Sequence, residues 1–155
     1  GGSLANNDPA ADYPAAVLAL NATIKTQRRS IAAGDFFTGM FSTALEDGEI
    51  ITEASFPIPE RAAYAKFPNP ASRYAMAGVF VAKSKAGVRV AVTGAGPGVF
   101  RVPEMEAALA RSFTPEAIAG IAVDPSDLNS DIHGSSEYRA NLVNAMAKRA
   151  VAQAQ

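Results

Sequence analysis

Residues 75–102 read AMAGVFVAKSKAGVRVAVTGAGPGVFRV, and they carry the longest uninterrupted strand signal in the chain. From 76 to 83 β-branched and aromatic residues mix. Ser84-Lys85-Ala86-Gly87 supplies a polar turn with a glycine, and Val88, Val90 and Val92 then alternate with Arg89, Ala91 and Thr93. The pattern predicts a β-hairpin with one buried face. Its valines need apolar cover, and the remaining large apolar stripes lie on the helical segments that follow. A sheet covered by helices is expected.

Three helices are predicted after the hairpin. Pro103 opens the first, over 103–112, with Met105, Ala108 and Leu109 on one face. Thr114-Pro115-Glu116 caps the second, over 114–122, which carries Ile118 and Ile121. The third spans 136–153, with Tyr138, Leu142, Ala145, Met146 and Ala150 on one stripe and Arg139, Lys148 and Arg149 off it. Between hairpin and helices, Gly94-Ala95-Gly96-Pro97-Gly98 invites a dinucleotide-binding reading. That fingerprint needs a third glycine where this chain has Val99, and a parallel strand where this one is a hairpin arm. A bent, flexible strand exit is the better reading.

Upstream, residues 4–14 form a turn-rich loop entering a short apolar helix, 15–20, with Asp12 placed to cap it and Pro14 in its first turn. Segments 22–27 and 29–33 read as short strands around a basic corner at Arg28-Arg29, and Gly34 and Gly39 bracket an aromatic loop. Residues 49–56 read as a strand that stops at Pro57-Ile58-Pro59, while 60–73 is proline-bearing and irregular. With the hairpin, the 49–56 strand gives three strands, near 49–56, 75–83 and 88–95.

With 155 residues, 48% of them hydrophobic, the chain suffices for one well-buried domain or a domain plus an appendage. The formal charge of −1, without a long run of either sign, offers no electrostatic footprint for nucleic acid or an anionic membrane. No apolar run approaches the roughly 20 residues needed to cross a bilayer. The absence of cysteine removes disulfides, thiolate metal sites and iron–sulfur ligation by this chain. His133 is the single histidine. Beside Asp131, at a helix entrance followed by glycine and serine caps, it reads as a structural residue.

Four blocks taken together, GGSLANNDPAADYPAAVLAL, GDFFTGMFSTALEDGEIITEASFP, KFPNPASRYAMAGVFVA and DLNSDIHGSSEYRANLVNAMAKRAV, resemble the flavoprotein (medium) subunit of molybdenum hydroxylases, most closely that of aerobic carbon monoxide dehydrogenases. The resemblance covers almost the whole chain, in the family's order and approximate spacing. It implies an α+β fold, with a three-stranded antiparallel sheet packed against a three-helix bundle over 46–155 and a carboxy-terminal remnant of the FAD-binding domain over 1–45. It also implies FAD as cofactor of the intact subunit. Electrons would pass from iron–sulfur clusters on a partner through FAD to an external acceptor, as part of a multi-subunit oxidoreductase. The molybdenum cofactor and [2Fe-2S] clusters would sit on separate large and small partner subunits, in a cytoplasmic complex or one at the inner face of the membrane.

Residue by residue, Gly1, Gly2 and Ser3 resemble the end of the family's second flavin loop. Asp12 stands where the family places a carboxylate on the flavin nucleotide's polar chain, and Ile51 where a branched residue lines the ring pocket. Lys66 and Tyr74 stand where the carboxy-terminal domain reaches towards the isoalloxazine. No catalytic or metal-ligating residue is assigned. The first, glycine-rich flavin loop is absent from these residues, so the chain alone is expected to hold no FAD. The alternative is a docking and assembly domain with no redox role.

Overall fold

A computed structural model of the chain describes residues 1–154. The first part runs α1 (Gly2–Asn6), α2 (Tyr13–Ala19), β1 (Thr23–Thr26), β2 (Ser30–Ala32), α3 (Ala33–Phe36), β3 (Phe37–Gly39), β4 (Ser42–Thr43) and β5 (Ile51–Ser55). The second runs β6 (Arg61–Pro68), β7 (Ala75–Ser84), β8 (Gly87–Thr93), β9 (Phe100–Arg101), α4 (Pro103–Arg111), a 3₁₀ turn (Pro115–Ile118) and α5 (Ser136–Gln153). The strands form three antiparallel sheets, in the orders β2-β1-β5, β3-β4 and β6-β7-β8-β9.

The predicted hairpin is the centre of the largest sheet. Val79 faces Val92 and Val81 faces Val90 across it, and Ser84 pairs with Gly87 at the turn. Gly87 adopts φ +119°, which suits a residue without a Cβ. Val88, Val90 and Val92 lie in one core with Met105, Leu109, Val143 and Met146 from α4 and α5. The fold class is α+β, as the sequence predicts. The other sheet face is not solvated: Ala82 and Ala91 pack with Ala15, Leu18 and Ala19 of α2, joined by Tyr64 and Phe80. Both faces are therefore covered, one by each part of the chain.

Several local expectations change. The strand expected at 49–56 does not join the hairpin; Ile51–Ser55 pairs with β1. Lys25 and Glu53 stand opposite each other there, their side chains 2.7 Å apart, an opposite-charge cross-strand pair suited to a solvent-facing surface. The hairpin's third long partner is β6, in the segment read as irregular. Its register runs from Arg61↔Lys83 to Phe67↔Ala77, and a bulge admits Pro68 at the strand's end. The sheet thus has three long strands and the two-residue β9 at its edge.

In the region read as a loop over 4–14, α1 forms at its start. Asp12 precedes α2, but its side chain makes no capping bond, because it is engaged elsewhere. Residues 34–39 are not a plain loop: Phe36 is fully buried in α3 and meets the Phe37 ring edge-on, centroids 5.1 Å apart. The helix predicted over 114–122 is only the 3₁₀ turn at Pro115–Ile118. Ile118 is buried, and the carbonyls of Ile118 and Ile121 accept hydrogen bonds from Asn144 Nδ2. α5 forms as predicted, capped by Ser135, whose hydroxyl accepts from Tyr138 N.

Arg139 does not lie off the buried stripe of α5. It is buried there with Leu142, Val143, Met146, Ala147, Ala150 and Val151, whereas Tyr138 is exposed. Arg139 Nη1 donates to the carbonyls of Met76 and Gly94 at 3.0 and 3.1 Å, and Nη2 donates to Asp131 at 2.7 Å. It thereby ties α5 to β7 and to the exit of β8. The exit after β8 is bent but pinned rather than flexible. Gly94 N donates to Pro9 O, Asn129 N to Ala95 O, and Asn129 Nδ2 to Gly96 O.

The first part has its own core of Leu4, Val17, Ala22, Ile24, Ile31, Ala33 and Phe36. Its basic corner closes on Glu49, whose buried carboxylate accepts from Arg29 Nε and Nη2, Thr26 Oγ1 and Glu46 N. These donors, Arg29 first, hold the Glu49 carboxyl down to about 2 from its ordinary 4.5. A depressed folded pKa stabilises the fold fully above the unfolded value, and that contribution disappears as pH falls from about 4.5 towards about 2. Acid unfolding followed by far-UV circular dichroism should therefore show a component in this window. Glu49→Gln should lose that component and be less stable than the parent at neutral pH. An unchanged acid profile in the variant would contradict the assignment.

Candidate functional site

The segment 8–12 is strapped to the exit of β8. Thr93 Oγ1 lies 2.9 Å from Pro9 O and 2.6 Å from Ala11 O, and Gly94 N donates to Pro9 O at 2.8 Å. Asp12 is thereby brought over the sheet face that carries Tyr64 and Lys66. These two residues sit two apart on β6 and so point to the same side. Tyr64 Oη donates to Asp12 Oδ1 at 2.5 Å, and Lys66 Nζ donates to Oδ2 at 2.9 Å. The carboxylate remains 44% exposed and the lysine side chain 28%, so the pair keeps an open side. Tyr64 is pushed well above the ordinary phenol range, by burial first and then by the Asp12 carboxylate. It therefore stays a donor.

Gly78 makes this seat possible. It stands opposite Lys66 on β7, and a Cβ there would lie 2.1 Å from Tyr64 Oη. The Tyr64 ring in turn stacks on Phe80, centroids 6.2 Å apart and planes 27° from parallel.

Of the other residues singled out in the sequence, Gly1 neighbours Ile51: a Cβ on Gly1 would lie 3.8 Å from Ile51 Cβ. Gly2 and Ser3 are exposed in α1, and Gly2 has open space where a Cβ would stand. Tyr74 is 58% exposed and lines a separate pocket of about 320 Å³ with Asp8, Asn69, His133 and Arg139. The structure thus joins Asp12 to Lys66 and Gly1 to Ile51, while Tyr74 lines a pocket that none of those four residues lines. His133 touches Asp131 through its backbone N–H, at 2.9 Å. That bond, then Arg139, lowers the Asp131 carboxyl below its usual range.

Gly78, Thr93 and Arg139 are contributors that sequence reasoning misses, and Tyr64, which stands out chemically in the segment read as irregular, receives no site role from the sequence. The Tyr64-x-Lys66 spacing is the one available signal, and it carries meaning only once β6 is known to be a strand. Among the described residues, no group of three acidic or histidine side chains could hold a metal ion. The residues present fit part of a flavin nucleotide's surroundings. An open carboxylate–ammonium pair offers acceptors and a positive charge, an exposed phenol ring offers a flat surface, and Gly2 leaves its backbone approachable.

Comparison with known proteins identifies the family. A family model for the FAD binding domain in molybdopterin dehydrogenase matches residues 1–59, and one for the CO dehydrogenase flavoprotein C-terminal domain matches residues 62–154. The chain is 39% identical to the nicotine 6-hydroxylase medium subunit of Paenarthrobacter nicotinovorans, over 99% of this chain and 59% of that protein. It is 30% identical to the carbon monoxide dehydrogenase medium chain of Hydrogenophaga pseudoflava, over 97% of this chain and 58% of that one. The solved quinoline 2-oxidoreductase of Pseudomonas putida 86 superposes with a TM-score of 0.83 at 26% identity, covering 99% of this chain and 59% of the other. A Cu,Mo-CO dehydrogenase structure superposes with a TM-score of 0.84 at 27% identity, over the same shares. The chain spans about 59% of the length of these relatives. With both family models matched in order and the fold shared along the chain, this protein belongs to the FAD-binding medium-subunit family of CO dehydrogenase-like molybdenum hydroxylases.

Proposed function

We propose that this chain is the carboxy-terminal part of a flavin-binding electron-transfer subunit of a molybdenum hydroxylase, working with a large molybdenum-binding and a small iron–sulfur subunit. The observation that carries the reading is the Asp12–Lys66 contact, which joins the region matching the flavin-binding family to the one matching the carboxy-terminal family. We place the division of the chain behind β5 rather than at residue 46, because β5 completes the first sheet. FAD, when bound, would take electrons from the partner's clusters and pass them to an external acceptor.

The chain's own residues would bind and tune. Asp12 presents carboxylate lone pairs to hydroxyls of the nucleotide's polar chain, Lys66 holds a positive charge beside the ring, and Tyr74 covers part of it. Ile51 and Gly1-Gly2-Ser3 would line the nucleotide from the first part of the chain. In the full-length subunit, Lys66→Ala should weaken FAD binding by roughly tenfold or more, the effect of losing a hydrogen bond to a charged group. It should also shift the flavin reduction potential downwards. Tyr74→Ala should lower flavin retention without unfolding, since the residue is exposed. Flavin content and potential unchanged in both variants would remove these residues from the site.

A docking and assembly role is the second reading. It is favoured by an open groove of about 520 Å³ floored by Val99, Phe100, Val102 and Leu128, and by the exposed side chains of Ile58 and Ile132. Partner binding by the flavin-free subunit, with electron transfer unaffected by Lys66→Ala, would support it over the first.

A further inference from the structure

We propose that Tyr64 is a positioning residue for the flavin site, holding the Asp12–Lys66 pair in place from inside the sheet, and that Gly78 provides the space in which its hydroxyl sits. This rests on the reading that Asp12 and Lys66 face the flavin. Asp12 comes from a loop, and Lys66 from a strand 54 residues later. A half-exposed ion pair of this kind contributes little by itself and samples other rotamers freely. Here one carboxylate oxygen is taken by the ammonium and the other by the phenol, so rotation of the carboxylate costs a hydrogen bond to a charged group.

The phenol is itself fixed at three points: the stacked ring of Phe80, the Asp12 oxygen, and the bare backbone at position 78. Any larger residue at 78 would drive the ring out, because the contact would fall on Tyr64 Oη at 2.1 Å and Cζ at 2.8 Å, with Thr93 Cγ2 at 3.0 Å. Thr93 is the same residue that straps the Asp12 loop to the sheet. Loop, phenol and glycine therefore form one device whose output is the direction of the lysine charge and of the free carboxylate lone pairs. A fixed charge tunes a bound group more than a mobile one, since no reorganisation is needed to bring it to bear.

The test is a double-mutant cycle in the full-length subunit, with Tyr64→Phe and Lys66→Ala singly and together, read by FAD titration and the flavin reduction potential. Tyr64→Phe keeps the ring and its stacking, so the thermal midpoint should stay near that of the parent. FAD dissociation constants should rise about three- to tenfold, the range for one hydrogen bond, and the potential should become more negative. In the Lys66→Ala background the same change should add less than about twofold, because the two residues act as one unit. Tyr64→Phe with parental affinity and potential, while Lys66→Ala alters both, would overturn the role of Tyr64 and leave the reading of the site standing. Fully additive effects would show that Tyr64 does not act through the pair. If Lys66→Ala itself changes neither quantity, the site reading falls and this proposal with it.

Discussion

Val90→Asp should lower the thermal midpoint by roughly 10 °C or more. Val90 is fully buried, faces Val81 on the neighbouring strand and belongs to the core shared with α4 and α5. Its backbone N–H is already held by Glu106 Oε1 at 3.0 Å, a carboxylate that also pairs with Arg101. An aspartate there would bury a second carboxylate beside the first, among the apolar side chains of that core. Burying an unpaired charge belongs to the short list of changes that cost about 4 kcal/mol or more. For a domain of about this length each kcal/mol moves the midpoint by roughly 2–4 °C. A scan in which the variant melts within a few degrees of the parent would mean that this face of β8 is not the core face.

Gly94→Ala is expected to be nearly as damaging, although it adds only a methyl group. Gly94 has φ +80°, and a Cβ on it would lie 2.2 Å from the carbonyl oxygen of Ala75. That obstacle is backbone, held by the sheet, and cannot step aside as a side-chain tip would. The residue also donates to Pro9 O and accepts from Arg139, so any shift disturbs the first part of the chain and α5 together. Strain of this kind costs about 1–3 kcal/mol at the backbone alone, and the linked hydrogen bonds add about 1 kcal/mol each. Gly98→Ala is the control: nothing lies within 4 Å of where its methyl group would stand, and its φ is not positive. Thermal melts showing comparable loss of stability in both variants would mean that general loop rigidity, not this close approach, is responsible.

The hairpin and the last helix are legible in the sequence because their signals are local. Alternating valines on either side of a four-residue turn allow one register, and a long apolar stripe after a serine cap allows one helix. β6 is not legible. Ala62, Ala63 and Ala65 are weak strand formers, and Pro57, Pro59, Pro68 and Pro70 crowd its ends. What makes it a strand is eight residues of pairing with β7, a tertiary fact. Arg139 escapes the helical pattern for a related reason, since a charged side chain joins a buried stripe only when carbonyls and a carboxylate await it, here Met76, Gly94 and Asp131.

The candidate site is legible only through resemblance. Asp12 and Lys66 are 54 residues apart, and no spacing rule links them. Even so, reading Asp12 as a helix cap names the wrong partner for the right position: it does precede α2, yet its carboxylate turns to β6 instead.

The coverage of the large sheet by α2 has a consequence for how this molecule could be taken apart. The sequence families meet between residues 59 and 62, which suggests a place for scissors. In space, the material on the two sides of that point shares a wall: Ala62, Tyr64, Phe80, Ala82 and Ala91 are roofed by Ala15, Leu18 and Ala19. Cutting there would leave the second piece with a greasy, uncovered sheet and the first with a helix that has lost its floor. The border between families is thus an address along the chain and not a fracture plane, and the two inheritances stand or fall as one object.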